Sequence, residues 1–232
     1  MPPLEKTIMA IGAHHDDNEI FAGTLARHKK AGWRVVSVVA TDGQWIGGKF
    51  SEDHVPIREG ESLEAAKLLG MECAFMRLDE GCFEATEEAR TAMIEVMRKY
   101  TPQIVMTHPP LDYHGDHMAV SRCVLEATYR TWVSRIETQS PPCDAPRLYY
   151  TDAWFVPFTP DLYVDVRDYF DLKLDMLRCH KSQLDPNNPE GGHVEASRVM
   201  SRNRGIEAGV PHAEAFRLAP KLSSVRMVEL LD

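Results

Sequence analysis

Short apolar runs recur along this chain, and stretches of helical periodicity separate them. Ile8-Met9-Ala10-Ile11, Val35–Val39 and Ile104-Val105-Met106 are each too brief to make a helix. Runs apolar at nearly every position suit strands buried on both faces. Between and after them, Ile20–Ala31, Arg58–Leu69 and Glu87–Tyr100 carry apolar residues near a 3.6-residue period. Strand alternating with helix leaves one economical solution: a mostly parallel sheet, covered by helices on both faces and joined by right-handed crossovers.

The same reading places strands at Thr7–Gly12, Arg34–Ala40, Cys73–Met76, Gln103–Thr107, Leu148–Phe155 and Asp161–Val166. Further helices fall at Met118–Val133, Tyr169–His180 and Val194–Ala208, with a short strand or two in the C-terminal tail. Leu63, Ala66 and Leu69 form the expected inward stripe of their helix, and Met93 and Met97 that of the next. With 232 residues, 44% hydrophobic and 26% charged, one core and one domain spanning 1–232 are expected. The net charge of -9 weighs against nucleic acid or an anionic membrane as partner, since both call for basic patches. Five scattered cysteines without a Cys-x-x-Cys pair speak against a disulfide framework and for a reducing compartment. No basic segment leads into an apolar signal core at the N-terminus, and no apolar run is long enough to span a membrane. A soluble, cytoplasmic protein is the expectation; nothing in the chain opposes a homo-oligomer.

Two clusters carry the chemistry, each directly beyond a strand. Ala13–Glu19 holds His14, His15, Asp16, Asp17 and Glu19; Asp112–His117 holds Asp112, His114, Asp116 and His117. If the first strand and the Gln103–Thr107 strand are neighbours across the point where strand order reverses, both clusters meet at one crevice. Zinc takes imidazole nitrogen and carboxylate oxygen, and a catalytic zinc keeps one position open. His14, Asp17 and His117 supply such a His/Asp/His set. Asp16, beside a ligand but aimed elsewhere, is the candidate general base. His114 faces the substrate as the candidate stabiliser of an oxyanion, an imidazolium able to protonate a leaving amine. Asp116 is placed to hydrogen-bond an imidazole from behind.

The His-x-Asp-Asp-x-Glu pattern at His14–Glu19, with Asp-x-His-x-Asp-His at Asp112–His117, resembles the PIG-L/LmbE-like zinc-dependent deacetylases. The resemblance continues through Gly23-Thr24-Leu25-Ala26, Thr41-x-Gly43, Arg58-x-x-Glu61, Lys173…His180-x-Ser182-Gln183 and Ala213-Glu214-Ala215-Phe216, so it covers most of the chain. It implies a Rossmann-like three-layer fold and removal of acetyl groups from N-acetylglucosamine-type amides. It implies His14, Asp17 and His117 as zinc ligands, Asp16 as base and His114 as electrostatic stabiliser. Arg58 matches an arginine that contacts substrate in some members. Two positions depart from the pattern: His15 and Gly115 stand where proline is usual. His15 thereby becomes a candidate extra ligand or substrate contact.

The expected function is therefore a Zn2+-dependent N-deacetylase of an N-acetylated amino sugar or its conjugate; Fe2+ suits the same donors. Trp45 could stack on a sugar face, and Asp112 binds substrate or braces its turn. Arg58 otherwise pairs with Glu61 or Glu52. Glu19 is expected to bond loop amides; His54, His108, His193 and His212 are expected to be bystanders, with His54 and His193 nearest the mouth. Specificity is expected in the loops Trp45–Pro56, Asp79–Ala85, Gln139–Pro146 and Asp185–Gly192. One alternative keeps the fold and cleaves a thiol conjugate or another acylated small molecule. Another is a metal-free sugar- or nucleotide-binding module, against which stands the lack of Gly-x-Gly-x-x-Gly after the first strand.

Overall fold

The computed structural model describes residues 6–220. In chain order the elements are β1 (Thr7–Gly12), α1 (Ala22–Lys30), β2 (Arg34–Thr41), β3 (Trp45–Ile46), β4 (Lys49–Phe50), α2 (Val55–Leu69), β5 (Glu72–Leu78), α3 (Glu87–Tyr100), β6 (Ile104–Thr107), α4 (Gly115–Thr128), β7 (Arg147–Thr151), β8 (Leu162–Asp165), α5 (Phe170–Arg178), α6 (Gly192–Ala208) and β9 (Ala213–Leu218). The main sheet runs β5-β2-β1-β6-β7-β9-β8. Its first five strands are parallel, whereas β9 pairs antiparallel with both β7 and β8. The fold is a Rossmann-like α/β sandwich.

Alternation along each strand decides which helices cover which face. In β1, Met9 and Ile11 point into a core with Val36 and Val38, packed against Met93 and Met97 of α3 and Val120 and Val124 of α4. Ile8 and Ala10 point the other way, onto Leu25 of α1, Ala65 and Ala66 of α2, Met176 of α5 and Phe216. Both faces are covered, which is why these strands read as continuous apolar runs. Burying a side chain such as Leu25 contributes about 1.5–3 kcal/mol.

β1 pairs with β2 on one side and β6 on the other. Strand order therefore reverses at the β1/β6 seam, and the two loops beyond their carboxyl ends lie side by side.

Three expectations are corrected. Leu63 is not on the buried stripe of α2; it is 45% exposed, and the inward face carries Arg58, Glu61, Ser62, Ala65 and Ala66. That face meets the site as well as the sheet, so polar residues replace the apolar stripe. The helix expected to reach Val133 ends at Thr128, where the carbonyls of Thr131, Val133 and Ile136 turn inward to accept hydrogen bonds from the buried Arg98 guanidinium. The strand expected to reach Phe155 stops at Thr151, where Asp152 leaves the sheet to pair with Arg204. One tail strand, β9, is present; a second would fall outside the described residues.

Candidate active site

The loop after β1 is fixed from three sides. Thr41 donates backbone N–H and hydroxyl to Ala13 O. Asn18 donates to Ser37 Oγ and Val38 O of β2. His108, the first residue beyond β6, brings Nε2 within 2.9 Å of Ala13 N and 3.1 Å of Asp17 Oδ2. Gly12 permits this: a Cβ there would meet Asp17 Cβ at 2.8 Å. The loop after β6 folds on itself, with His114 N donating to Asp112 Oδ1 and Asp116 N donating to His114 Nδ1 at the start of α4.

These constraints bring His14, Asp17 and His117 together. His14 Nδ1 lies 3.1 Å from His117 Nε2 and 3.4 Å from Asp17 Oδ2, and His117 Nε2 lies 3.4 Å from Asp17 Oδ1. Ligands at about 2.0–2.2 Å from a tetrahedral zinc are separated by roughly 3.3–3.5 Å. Asp17 meets the two imidazoles with different oxygens, Oδ2 toward His14 and Oδ1 toward His117. Among the described residues, two overlapping sets bring their donor atoms within 4.8 Å of one another: His14, His114 and His117, and Asp17, His108 and His117.

Carboxylates stand behind the imidazoles. His14 Nε2 lies 3.3 Å from Asp116 Oδ2, and Asp116 itself accepts N–H bonds from Gly81 and Phe83. His117 Nδ1 lies 3.1 Å from Asp112 Oδ1. Burial alone would lower both imidazoles, yet Asp116 and Asp17 raise His14 to about 9, and Asp17 and Asp112 raise His117 to about 10. Burial would likewise raise Asp17, but His117 and His108 hold it well below the usual carboxylate range. The site is built to favour positive charge, whether carried by protons or by a cation.

Asp16 points into the same cavity with both oxygens engaged. Oδ1 accepts from Arg58 Nη2 at 3.0 Å, and Oδ2 lies 2.9 Å from His193 Nδ1. Against the upward push of burial, His193 and Arg58 keep Asp16 far below its ordinary value, so it is ionised at neutral pH. Arg58 also donates to Glu80 and to Trp45 O. Its partners are thus Asp16 and Glu80 rather than the expected Glu61 or Glu52; Glu61 instead accepts from Ser182.

His114 is tied to the start of α4. Its Nδ1 is the acceptor that caps α4, and burial, with His14 and His117 nearby, lowers its pKa. With Nδ1 accepting, Nε2 is left to carry a proton toward the cavity. His15 does not face the cavity: it is 1% exposed, stacks on Phe75 and is pushed down to about 3 by burial and by Arg58. The expected ligand or substrate role of His15 is therefore corrected to packing. Glu19 faces His180 at 3.5 Å rather than loop amides.

The cavity holds about 430 Å³, lined at its floor by the groups above and at its rim by Trp45, Phe50, Tyr113 and Trp154. Asp112 lines it but is turned toward His117. No residue of Gln139–Pro146 or of Asp185–Gly192 lines it; Asp152–Trp154, Gln183 and His193 do instead. Sequence reasoning passed over His108 and His193. A histidine directly beyond a strand was a usable signal for the first; sequence carries none for the second, which α6 delivers from far along the chain.

The family model described as GlcNAc-PI de-N-acetylase matches residues 9–128, more than half of the chain. This chain belongs to the PIG-L family. Among PIG-L-type relatives, the diacetylchitobiose deacetylase of Thermococcus kodakarensis is 28% identical over 225 residues, covering 93% of this chain and 84% of the relative. The probable N-acetyl-alpha-D-glucosaminyl L-malate deacetylase 2 of Bacillus subtilis is 24% identical, covering 88% and 93%. Among solved structures, the conserved protein TT1542 from Thermus thermophilus superposes with a TM-score of 0.81 at 26% identity, covering 94% and 98%. GalB, the 4-carboxy-2-hydroxymuconate hydratase of Pseudomonas putida KT2440, reaches 0.79 at 20% identity, covering 98% and 100%. That last likeness shows the fold alone, and shows that the fold is shared by a protein named for a different reaction.

Proposed function

We propose that this protein is a metal-dependent hydrolase that removes the acetyl group from an N-acetylated amino sugar or its conjugate. The observation that carries the reading is the gathering of His14, Asp17 and His117, each pair within 3.1–3.4 Å, in the cavity that also holds Asp16 and His114. The relatives named as deacetylases of N-acetylated sugars support the substrate class.

A divalent cation at those donors, zinc or iron(II), supplies Lewis-acid polarisation of the amide carbonyl and lowers the pKa of water. Asp16, ionised and held by two cations or N–H donors, accepts the proton of the attacking water. His114 Nε2–H donates to the oxygen that becomes negative as the carbonyl carbon turns tetrahedral. The proton taken by Asp16 then passes to the departing amine. Asp112 and Asp116 keep His117 and His14 oriented throughout. Trp45 and Trp154 at the rim offer flat faces for a sugar ring.

A panel of N-acetylated sugars, scored together for free amine and acetate, tests the reading. Equal release of both is expected, and Asp16→Ala should keep its metal while losing most turnover. No amine from any N-acetylated sugar, beside amine released from a sugar that carries a larger acyl group, would point to an amidase of that larger group. Wild-type turnover in Asp16→Ala would remove the base assignment.

A further inference from the structure

Asp16 is held by one donor from each side of the cavity. Arg58 comes from α2 and reaches Oδ1; His193 comes from the first turn of α6 and lies 2.9 Å from Oδ2. Neither holder is free to drift. Arg58 is 1% exposed and tied to Glu80 as well. His193 precedes Val194, which is fully buried against Phe170, Leu174 and Leu177 in the core between α5 and α6. Its ring also rests on Trp154 at 5.1 Å between centroids. A side chain on a packed helix, next to a buried anchor, is what a precise support requires.

We propose that His193 is a positioning residue for the base. It fixes the rotation of the Asp16 carboxylate from the side opposite Arg58, and in doing so ties α6 to the reaction. This rests on Asp16 being the base. A carboxylate gripped at one oxygen only can turn about its Cβ–Cγ bond; gripped at both, it cannot. The contribution is one of orientation, so it falls on turnover rather than on substrate or metal binding.

The test uses the full, metal-loaded protein with N-acetylglucosamine and N,N′-diacetylchitobiose as probes. His193→Ala is expected to lower kcat about 10- to 100-fold with KM within roughly threefold of wild type, at full metal content. His193→Asn, whose side-chain N–H can stand where Nδ1–H stood, restores most of the loss. His193→Gln, which cannot, does not; it also serves should the alanine variant fail to fold. Added to Asp16→Ala, His193→Ala costs nothing further, because the clamp has nothing left to hold. A crystal structure of His193→Ala shows the Asp16 carboxylate rotated or in two rotamers.

An unchanged kcat, a raised kcat, a rise in KM alone, the same loss in the Asp16→Ala background, or an unmoved Asp16 carboxylate would each overturn the proposal. The two assignments separate cleanly. Full turnover in Asp16→Ala removes the base, and the clamp with it. An inactive Asp16→Ala beside a fully active His193→Ala removes the clamp alone.

Discussion

Asp112 Oδ1 stands 3.1 Å from His117 Nδ1, on the far side of the ring from Asp17. Asp116 Oδ2 stands in the same relation to His14, at 3.3 Å from Nε2. Each imidazole is therefore held by a carboxylate behind it while its other nitrogen faces Asp17 and the other imidazole. Replacing Asp112 or Asp116 by Asn removes the charge and keeps the shape. Each change is expected to weaken metal affinity about 10- to 100-fold, measured by competition with a chromophoric chelator. Unchanged affinity in both variants would deny the carboxylates this role.

His114 divides two readings of the site. Its nitrogen gathers with those of His14 and His117, yet its Nδ1 is already committed as the cap of α4. If it is the oxyanion donor, His114→Ala lowers kcat about 10²–10³-fold and leaves the metal content intact. If it is a ligand, the metal is lost from the purified variant.

The raised imidazoles give a sign to the pH dependence. In the metal-free protein, burial opposes protonation but the carboxylates hold His14 up to about 9 and His117 up to about 10, against 6.5 for a free imidazole. The folded state thus binds these protons more tightly than the unfolded state. Their stabilisation is fully present below about 6.5 and is lost as pH rises through 9 to 10. Urea unfolding of metal-free protein should show stability falling across that window. Metal-loaded protein, whose imidazoles are already deprotonated, should show a weaker fall, and equal slopes would contradict the account.

Gly43 lies under His15. Its φ is +81°, and a Cβ there would stand 2.5 Å from His15 Cε1. Gly43→Ala is expected to destabilise the protein by about 1–3 kcal/mol from backbone strain alone, more with the overlap. Adding His15→Ala should return the share due to overlap and leave the rest. An unchanged urea midpoint in Gly43→Ala would show that the ring is not fixed against this turn.

Much of the fold was legible because burial on both faces writes strands as apolar runs and helices as periodic stretches. The β1/β6 seam followed from that pattern, and with it the meeting of His14 and Asp17 with His117. What stayed hidden depended on packing across long separations. Leu63 read as core because the face of α2 that meets the site is polar, which periodicity cannot anticipate. His193 read as a bystander because only the docking of Val194 against α5 sets its ring beside Asp16. His15 read as a candidate ligand because sequence shows an imidazole next to His14 but not Phe75 beneath it.

The central claim is that hydrolysis depends on one metal held by His14, Asp17 and His117. The most direct measurement is titration of metal-free protein with zinc, following acetate and free amine from N,N′-diacetylchitobiose. Activity is predicted to be absent without metal, to rise with the first equivalent of zinc, and to be unrecoverable in His117→Ala. Acetate release that persists at full rate after complete metal removal would contradict it.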